Sequence, residues 1–159
     1  MYVWECETSD SVSTFLRGWN HRVHVFLKHY VAERLSGPGE RPKAWHNFAV
    51  FAIAAFWHGF YPFYYVSFSM AAITQFVHKD IYQSWVLFRP IPTPIRRAAA
   101  FVIAQVTINY IGLCQNAMLY ANGIRFLKAT YFYIPIHLIA VLIATRGFGL
   151  LRLAKKLER

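Results

Sequence analysis

From Ala44 to His78 the chain runs for about 35 residues without an Asp, Glu, Lys or Arg, and in the middle of that run stands Trp57-His58-Gly59-Phe60-Tyr61-Pro62. As one straight helix the run would be roughly 52 Å long at 1.5 Å per residue. The hydrocarbon core of a bilayer is about 30 Å thick. The run is too long for one upright span and too short for two, so a tilted broken helix or a re-entrant pair hinged at Gly59 to Pro62 fits it best. Proline supplies the hinge. It has no N–H for the carbonyl four residues back, and its ring clashes with that carbonyl, which belongs to His58. Backbone left unpaired at membrane depth is tolerated only where it is buried in protein or lines a wet cavity, so His58 is not expected to face lipid. An ionisable group there marks a functional site, because a charge in hydrocarbon costs about 2.5 to 3.5 kcal/mol even on insertion scales. A packed histidine bonded to a neighbouring helix is the alternative.

Composition extends the membrane reading to the rest of the chain. Hydrophobic residues make up 57% and charged residues 15%, which is too apolar for an ordinary soluble domain of this length. Ala98 to Ile124 and Ala129 to Thr145 also lack charges, and transmembrane helices are expected over 98–121 and 129–145. The net charge of +10 sits in the segments flanking the apolar runs. That pattern suits anionic lipid headgroups and argues against a nucleic-acid partner. Cys6 lies in the polar lead-in and Cys114 mid-span, so neither a disulfide nor a metal site is implied, and only Cys6 is expected to be open to an impermeant thiol reagent. Met1 to Asp10 has no basic n-region or apolar h-region, so no signal peptide is expected there.

Between Val12 and Leu35 the apolar residues recur at helical spacing, as Val12, Phe15, Leu16, Trp19, Val23, Phe26, Leu27, Tyr30, Val31 and Leu35. A basic amphipathic helix over 11–35 follows, capped by Ser11 or Ser13 and stopped at Gly37-Pro38-Gly39. Asn20 falls inside the apolar arc of this wheel, where a buried amide must find partners. The basic tail over 146–159, with Arg146, Arg152, Lys155, Lys156 and Arg159, places the C-terminus on the cytosolic side. Two antiparallel spans joined near Asn122 to Lys128 then bring Lys79 to Arg97 to the same side, with Pro90, Pro92 and Pro94 making an extended loop. A re-entrant 44–78 segment keeps the amphipathic helix cytosolic too. Gln105, Asn109, Gln115, Asn116 and His137 read as interhelical hydrogen-bonding residues.

Trp19-Asn20, then Leu27-Lys28-His29-Tyr30-Val31, then Ala55-Phe56-Trp57-His58-Gly59-Phe60-Tyr61-Pro62-Phe63-Tyr64-Tyr65 together resemble the membrane-bound O-acyltransferase family, most closely its lysophospholipid acyltransferase branch. The likeness covers most of the chain, with the two motifs in the family's order and approximate separation. It implies an all-α integral membrane bundle resident in the endoplasmic reticulum, with residues 1–159 as the C-terminal portion of the family domain. It also implies acyl transfer from acyl-CoA, a co-substrate, to a lysophospholipid, with no other cofactor and no metal. Asn20 and His58 are then the functional pair, His58 being catalytic. Phe63 stands where the phospholipid branch usually has glycine, and a ring there is expected to narrow the substrate chamber. Family members are many-helix proteins, so the remainder of the domain or a second chain is expected to be required.

Neutral histidine suits that chemistry as a general base for a hydroxyl, and an Asn amide suits a developing oxyanion or the thioester. The basic amphipathic segment would suit the CoA phosphates. Three readings compete: acyl transfer to a sterol, diacylglycerol or protein; a non-catalytic membrane protein such as a proton-linked transporter; and an inactive remnant. Transporters usually carry buried carboxylates as well, and no Asp or Glu stands between Asp80 and Glu158.

Overall fold

The computed structural model describes residues 2–37, 40 and 43–157, and among these every regular element is helical. Pro38 and Gly39 of the expected helix stop, and Arg41 and Arg159 of the basic flanks, lie outside the described residues.

The amphipathic segment is four short elements instead of one helix. A short α1 (Val3–Glu7) precedes α2 (Val12–Trp19), whose N-cap Ser11 accepts a hydrogen bond from the Thr14 N–H. At Asn20 the backbone leaves helical geometry (φ −124°, ψ 68°), and α3 (His21–Leu27) starts on a new axis. A π-helical turn (Lys28–Ala32) and α4 (Glu33–Ser36) complete the segment. Gly37 ends it at φ +78°, a conformation that costs other residues more than glycine. Cys6 is buried against Gly18 of α2, where an added β-carbon would lie 3.1 Å from its Sγ. Burial and the adjoining Glu5 and Glu7 also push the Cys6 thiol above its ordinary pKa. The expectation of an accessible Cys6 is therefore corrected. Maleimide should modify Cys6 only when α1 is loosened from α2, while Ser13→Cys on the exposed face of α2 reacts at once. Equal rates at the two positions would contradict this packing.

The uncharged run is a helical hairpin. In α5 (Ala44–His58) and α6 (Pro62–Gln83) the Phe51 and Phe68 rings are 6.3 Å apart, and Phe51 packs with Ala71 and Ala72. Two local features make the break. Gly59 sits at φ +129°, and Pro62 occupies the first turn of α6, where its missing N–H has no helical partner to lose. The Phe63 N–H donates instead to the Met118 carbonyl at 3.1 Å, tying the start of α6 to the chain after the next long helix.

Helix α6 continues five residues past His78 and is followed by a 3₁₀ turn (Trp85–Phe88), and α7 (Thr93–Asn116) begins with Pro94 in its first turn. The expected proline-rich extended loop is thus mostly helical. The link expected near Asn122 to Lys128 is itself a helix, α8 (Tyr120–Ala129), which meets α9 (Tyr133–Leu142) and its π-helical extension (Ile143–Gly147) at a bend of 70°. Tyr131 and Phe132, both at φ +50°, make that bend. By length and composition, α7 is apolar enough to cross a membrane, and the bent α8–α9 pair is so when taken together. The tail forms α10 (Leu150–Leu157).

Phe63, Met70 and Val77, one heptad apart on α6, form the core with Tyr110 and Cys114 of α7, Leu127 of α8, and Ile134 and Leu138 of α9. At the other end of α6, Arg146 donates through Nε and Nη2 to the buried Asp80 carboxylate at 2.6 and 3.0 Å. Arg146 is therefore not a free tail cation, and the Lys79–Arg97 segment and the tail lie at one end of the bundle.

Candidate active site

His58 is the last residue of α5, at the tip of the hairpin, and its side chain is exposed. Aromatic rings brace it: Phe68 at 4.9 Å between centroids, Trp57 at 5.0 Å and Tyr64 at 5.9 Å. The Gln115 amide nitrogen, near the end of α7, lies 3.4 Å from Nδ1. Gly59 lets the chain turn away directly behind the ring, and a β-carbon there would stand 3.5 Å from Tyr64.

The uncharged run holds three histidines in different settings. His46 is buried, and its Nδ1 accepts the Lys43 N–H at 3.1 Å with Ser36 Oγ at 3.0 Å, so it caps the start of α5. His78 lies in the last turns of α6, and its Nε2 has no hydrogen-bond partner among the described residues. Of the three, only His58 sits at the backbone break with its ring open.

Asn20 is exposed, contrary to its expected place inside an apolar arc. The break in the helix at this residue removes the premise of the wheel. Its carbonyl accepts the His24 N–H at 2.8 Å, and its amide side chain has no intramolecular hydrogen bond among the described residues. Leu16, one turn earlier, packs on the same Phe51–Ala71–Ala72 cluster as Phe68, which supports the His58 ring. Asn20 and His58 thus come from elements that meet at one cluster, though no hydrogen bond joins them among the described residues.

Phe63 does not face this region as a narrowing ring. It is 1% exposed, within the core, and a β-carbon added to Gly123 of α8 would overlap the Cε1 and Cζ atoms of its ring. Gln115 is the residue whose particular role was missed. Its polarity in an apolar helix was visible, but its partner is 57 residues away in sequence.

A cleft of about 60 Å³ between α5 and α6, lined by Phe48, Phe51, Ala55 and Phe68 among others, runs beside the site. It is well below the roughly 300 to 1,000 Å³ of a ligand-sized pocket.

The sequence pattern of the membrane-bound O-acyltransferase family matches residues 1–122, which takes in Asn20, His58 and Gln115. The chain belongs to that family. Similar proteins include a lysophospholipid acyltransferase of Saccharomyces cerevisiae, 35% identical over 89 residues, which are 56% of this chain and 14% of that protein. A lysophospholipid acyltransferase of Schizosaccharomyces pombe is 26% identical over 147 residues, 86% of this chain and 28% of that protein. Lysophospholipid acyltransferase 2 of Arabidopsis thaliana is 28% identical over 128 residues, 79% of this chain and 28% of that protein. The chain therefore spans less than a third of the length of these relatives, and α9 and α10 lie beyond the residues that the family pattern covers.

Proposed function

We propose that this chain carries the catalytic histidine of an acyltransferase that moves an acyl chain from acyl-CoA to the hydroxyl of a lysophospholipid. The observation that carries the reading is His58 open at the hairpin tip with Gln115 at Nδ1, in a chain whose relatives bear the name lysophospholipid acyltransferase. His58 takes the proton of the hydroxyl as its oxygen attacks the thioester carbonyl. The tetrahedral oxyanion then collapses and expels the CoA thiolate, which takes the proton back from the imidazolium. Asn20, whose amide side chain has no hydrogen-bond partner among the described residues, donates an N–H to that oxyanion or to the thioester, a contribution of about 3 to 4 kcal/mol for donors of this kind. CoA phosphates are held by the basic residues of α2 to α4, among them Arg17, Arg22, Lys28 and Arg34.

Tautomer decides what Gln115 does. With its amide nitrogen donating to Nδ1, the ring proton sits on Nε2. With the amide turned over, its oxygen accepts from Nδ1–H and leaves the Nε2 lone pair for the acceptor hydroxyl. The second arrangement is the productive one. Gln115→Leu should lower kcat roughly five- to tenfold, the worth of one net hydrogen bond of about 1 to 1.4 kcal/mol, with KM unchanged. Gln115→Glu keeps an acceptor and should restore most of the rate. A Gln115→Leu enzyme with only KM altered would show that the amide binds substrate and does not position His58.

The setting is an integral membrane bundle, the endoplasmic reticulum being its expected site. Val102, Val106 and Leu113 of α7 and Ile136 and Ile139 of α9 are exposed, an outward apolar surface that lipid or further helices would cover. Arg89, Arg96, Arg97, Arg152, Lys155 and Lys156 mark the cytosolic end, and the α5–α6 hairpin enters from that side and returns. The test is transfer of radiolabelled acyl-CoA to a panel of lysophospholipids, a sterol and diacylglycerol. The isolated chain should insert into membranes and give no turnover, because the cleft beside His58 among the described residues is about 60 Å³, far below a lipid-sized chamber. Completed by the remainder of a family domain or by a second chain that supplies it, the chain should acylate the lysophospholipids. Transfer to sterol or diacylglycerol alone would replace the acceptor, and robust turnover by the isolated chain would make a homo-oligomeric site the better account.

A further inference from the structure

At the end of the bundle remote from His58, α6, the π-helical turn and α10 border an open, shallow cleft of about 320 Å³ lined by Gln83, Thr145, Arg146, Arg152 and Lys155 together with Gly149 and Leu151. The acyl-transfer chemistry makes no use of it. Three cations line it, and Asp80, the nearby carboxylate among the described residues, is already bonded to Arg146. Arg146 is held rigid before any ligand arrives. Its Nε and Nη2 are fixed by Asp80, its Cζ stands 4.2 Å from the centroid of the Phe76 ring, and Nη1 has no partner among the described residues. A guanidinium fixed in this way loses little freedom on meeting a tetrahedral anion. Arg152 and Lys155, three residues apart on α10, present two further cations from one helix face, and neither makes an ion pair among the described residues.

We propose that this cleft binds the phosphate of an anionic phospholipid headgroup. A phosphate ester in solution would offer the same anion, but the apolar flank of α10 decides between the sources. Phe148, two residues before α10, is 82% exposed, and Leu153 and Leu157 of α10 are exposed beside the basic face. An amphipathic helix with cations on one side and bare apolar side chains on the other lies in the headgroup layer, where the acyl chains of a bound lipid meet those side chains. The proposal requires that the chain lie in a membrane and does not depend on acyl transfer. It is read as binding without substrate, so its failure and the failure of the acyltransferase reading are separate results.

The test uses the whole chain purified in a neutral detergent, titrated with dioctanoyl phosphatidic acid, dioctanoyl phosphatidylcholine and free CoA, with bound lipid read by native mass spectrometry. Phosphatidic acid should bind at least about tenfold tighter than phosphatidylcholine. The double variant Arg152→Gln/Lys155→Gln should lose at least about tenfold in phosphatidic acid affinity, since each basic side chain near anionic lipid contributes several-fold. Lys156→Gln, which removes an α10 cation that does not line the cleft, should leave affinity unchanged. The exposed positions chosen leave the fold intact, which an unchanged unfolding midpoint would verify. Equal binding of the two lipids, or undiminished binding by the double variant, would overturn the proposal. So would tighter binding of free CoA than of phosphatidic acid, lost in the same double variant, because the cleft would then serve a soluble phosphate ester.

Discussion

Phe63→Gly should lower folding stability by about 3 to 5 kcal/mol, the range for truncating a buried phenylalanine. The side chain is 1% exposed and fills the space between α6, α7, α8 and α9 that Gly123 leaves open, so nothing nearby replaces it. In a chain of this size the unfolding midpoint in detergent should fall by at least about 6 °C, at roughly 2 to 4 °C per kcal/mol. Glycine at this position in the phospholipid branch would suggest a harmless exchange that opens the chamber. The packing here says otherwise, because the ring packs among α6, α7, α8 and α9, where α7 carries Gln115, and is buried in that core. Gly123 gives the control. Gly123→Ala alone drives a methyl group into the ring and should cost about 1 to 3 kcal/mol by overpacking. In the Phe63→Gly background the same methyl partly refills the void, so the two costs should not add. An unchanged midpoint for Phe63→Gly, with a changed acceptor profile, would return the ring to the chamber wall.

The parts of this fold legible in the sequence are those fixed by local chemistry. Gly59 and Pro62 each forbid or disfavour a straight helix through their own backbones, so the break beside His58 follows from four residues. Ser11 likewise caps a helix through a contact three residues on. What stayed hidden depends on partners far along the chain. The wheel that buried Asn20 assumed one unbroken helix, whereas α1 folds back onto Gly18 and the backbone changes direction two residues later. Asn122 to Lys128 reads in the sequence as the link between two spans, because Arg125 and Lys128 interrupt the apolar run. Its buried Gly123 and Leu127, four apart, are nevertheless the mark of a helix with one packed face. Asp80 and Arg146 pair across 66 residues, and no spacing rule reaches that far. For the candidate site, the two motif residues are visible as residue types, and the brace around His58 is not, since Gln115 reaches it through the packing of α7 on α6, 57 residues away in sequence.

The central claim is that His58 is the base for acyl transfer, and His58→Ala tests it most directly. Alanine removes the only imidazole at the hairpin tip while leaving Gly59 and Pro62 to make the break, so the fold should survive. The exposed side chain contributes little packing, and Gln115 loses one long hydrogen bond. The loss should therefore be catalytic. A positioned general base typically supplies about 10² to 10⁴ in rate. The measurement is single-turnover transfer of radiolabelled acyl-CoA to lysophospholipid, by this chain joined to the remainder of a family domain in proteoliposomes. Wild type, His58→Ala and Asn20→Ala are to be matched for membrane expression and unfolding midpoint. The account predicts a fall of at least about a hundredfold for His58→Ala at unchanged acyl-CoA binding, and a smaller loss for Asn20→Ala, which leaves the base in place. Transfer by His58→Ala within a few-fold of wild type would contradict it.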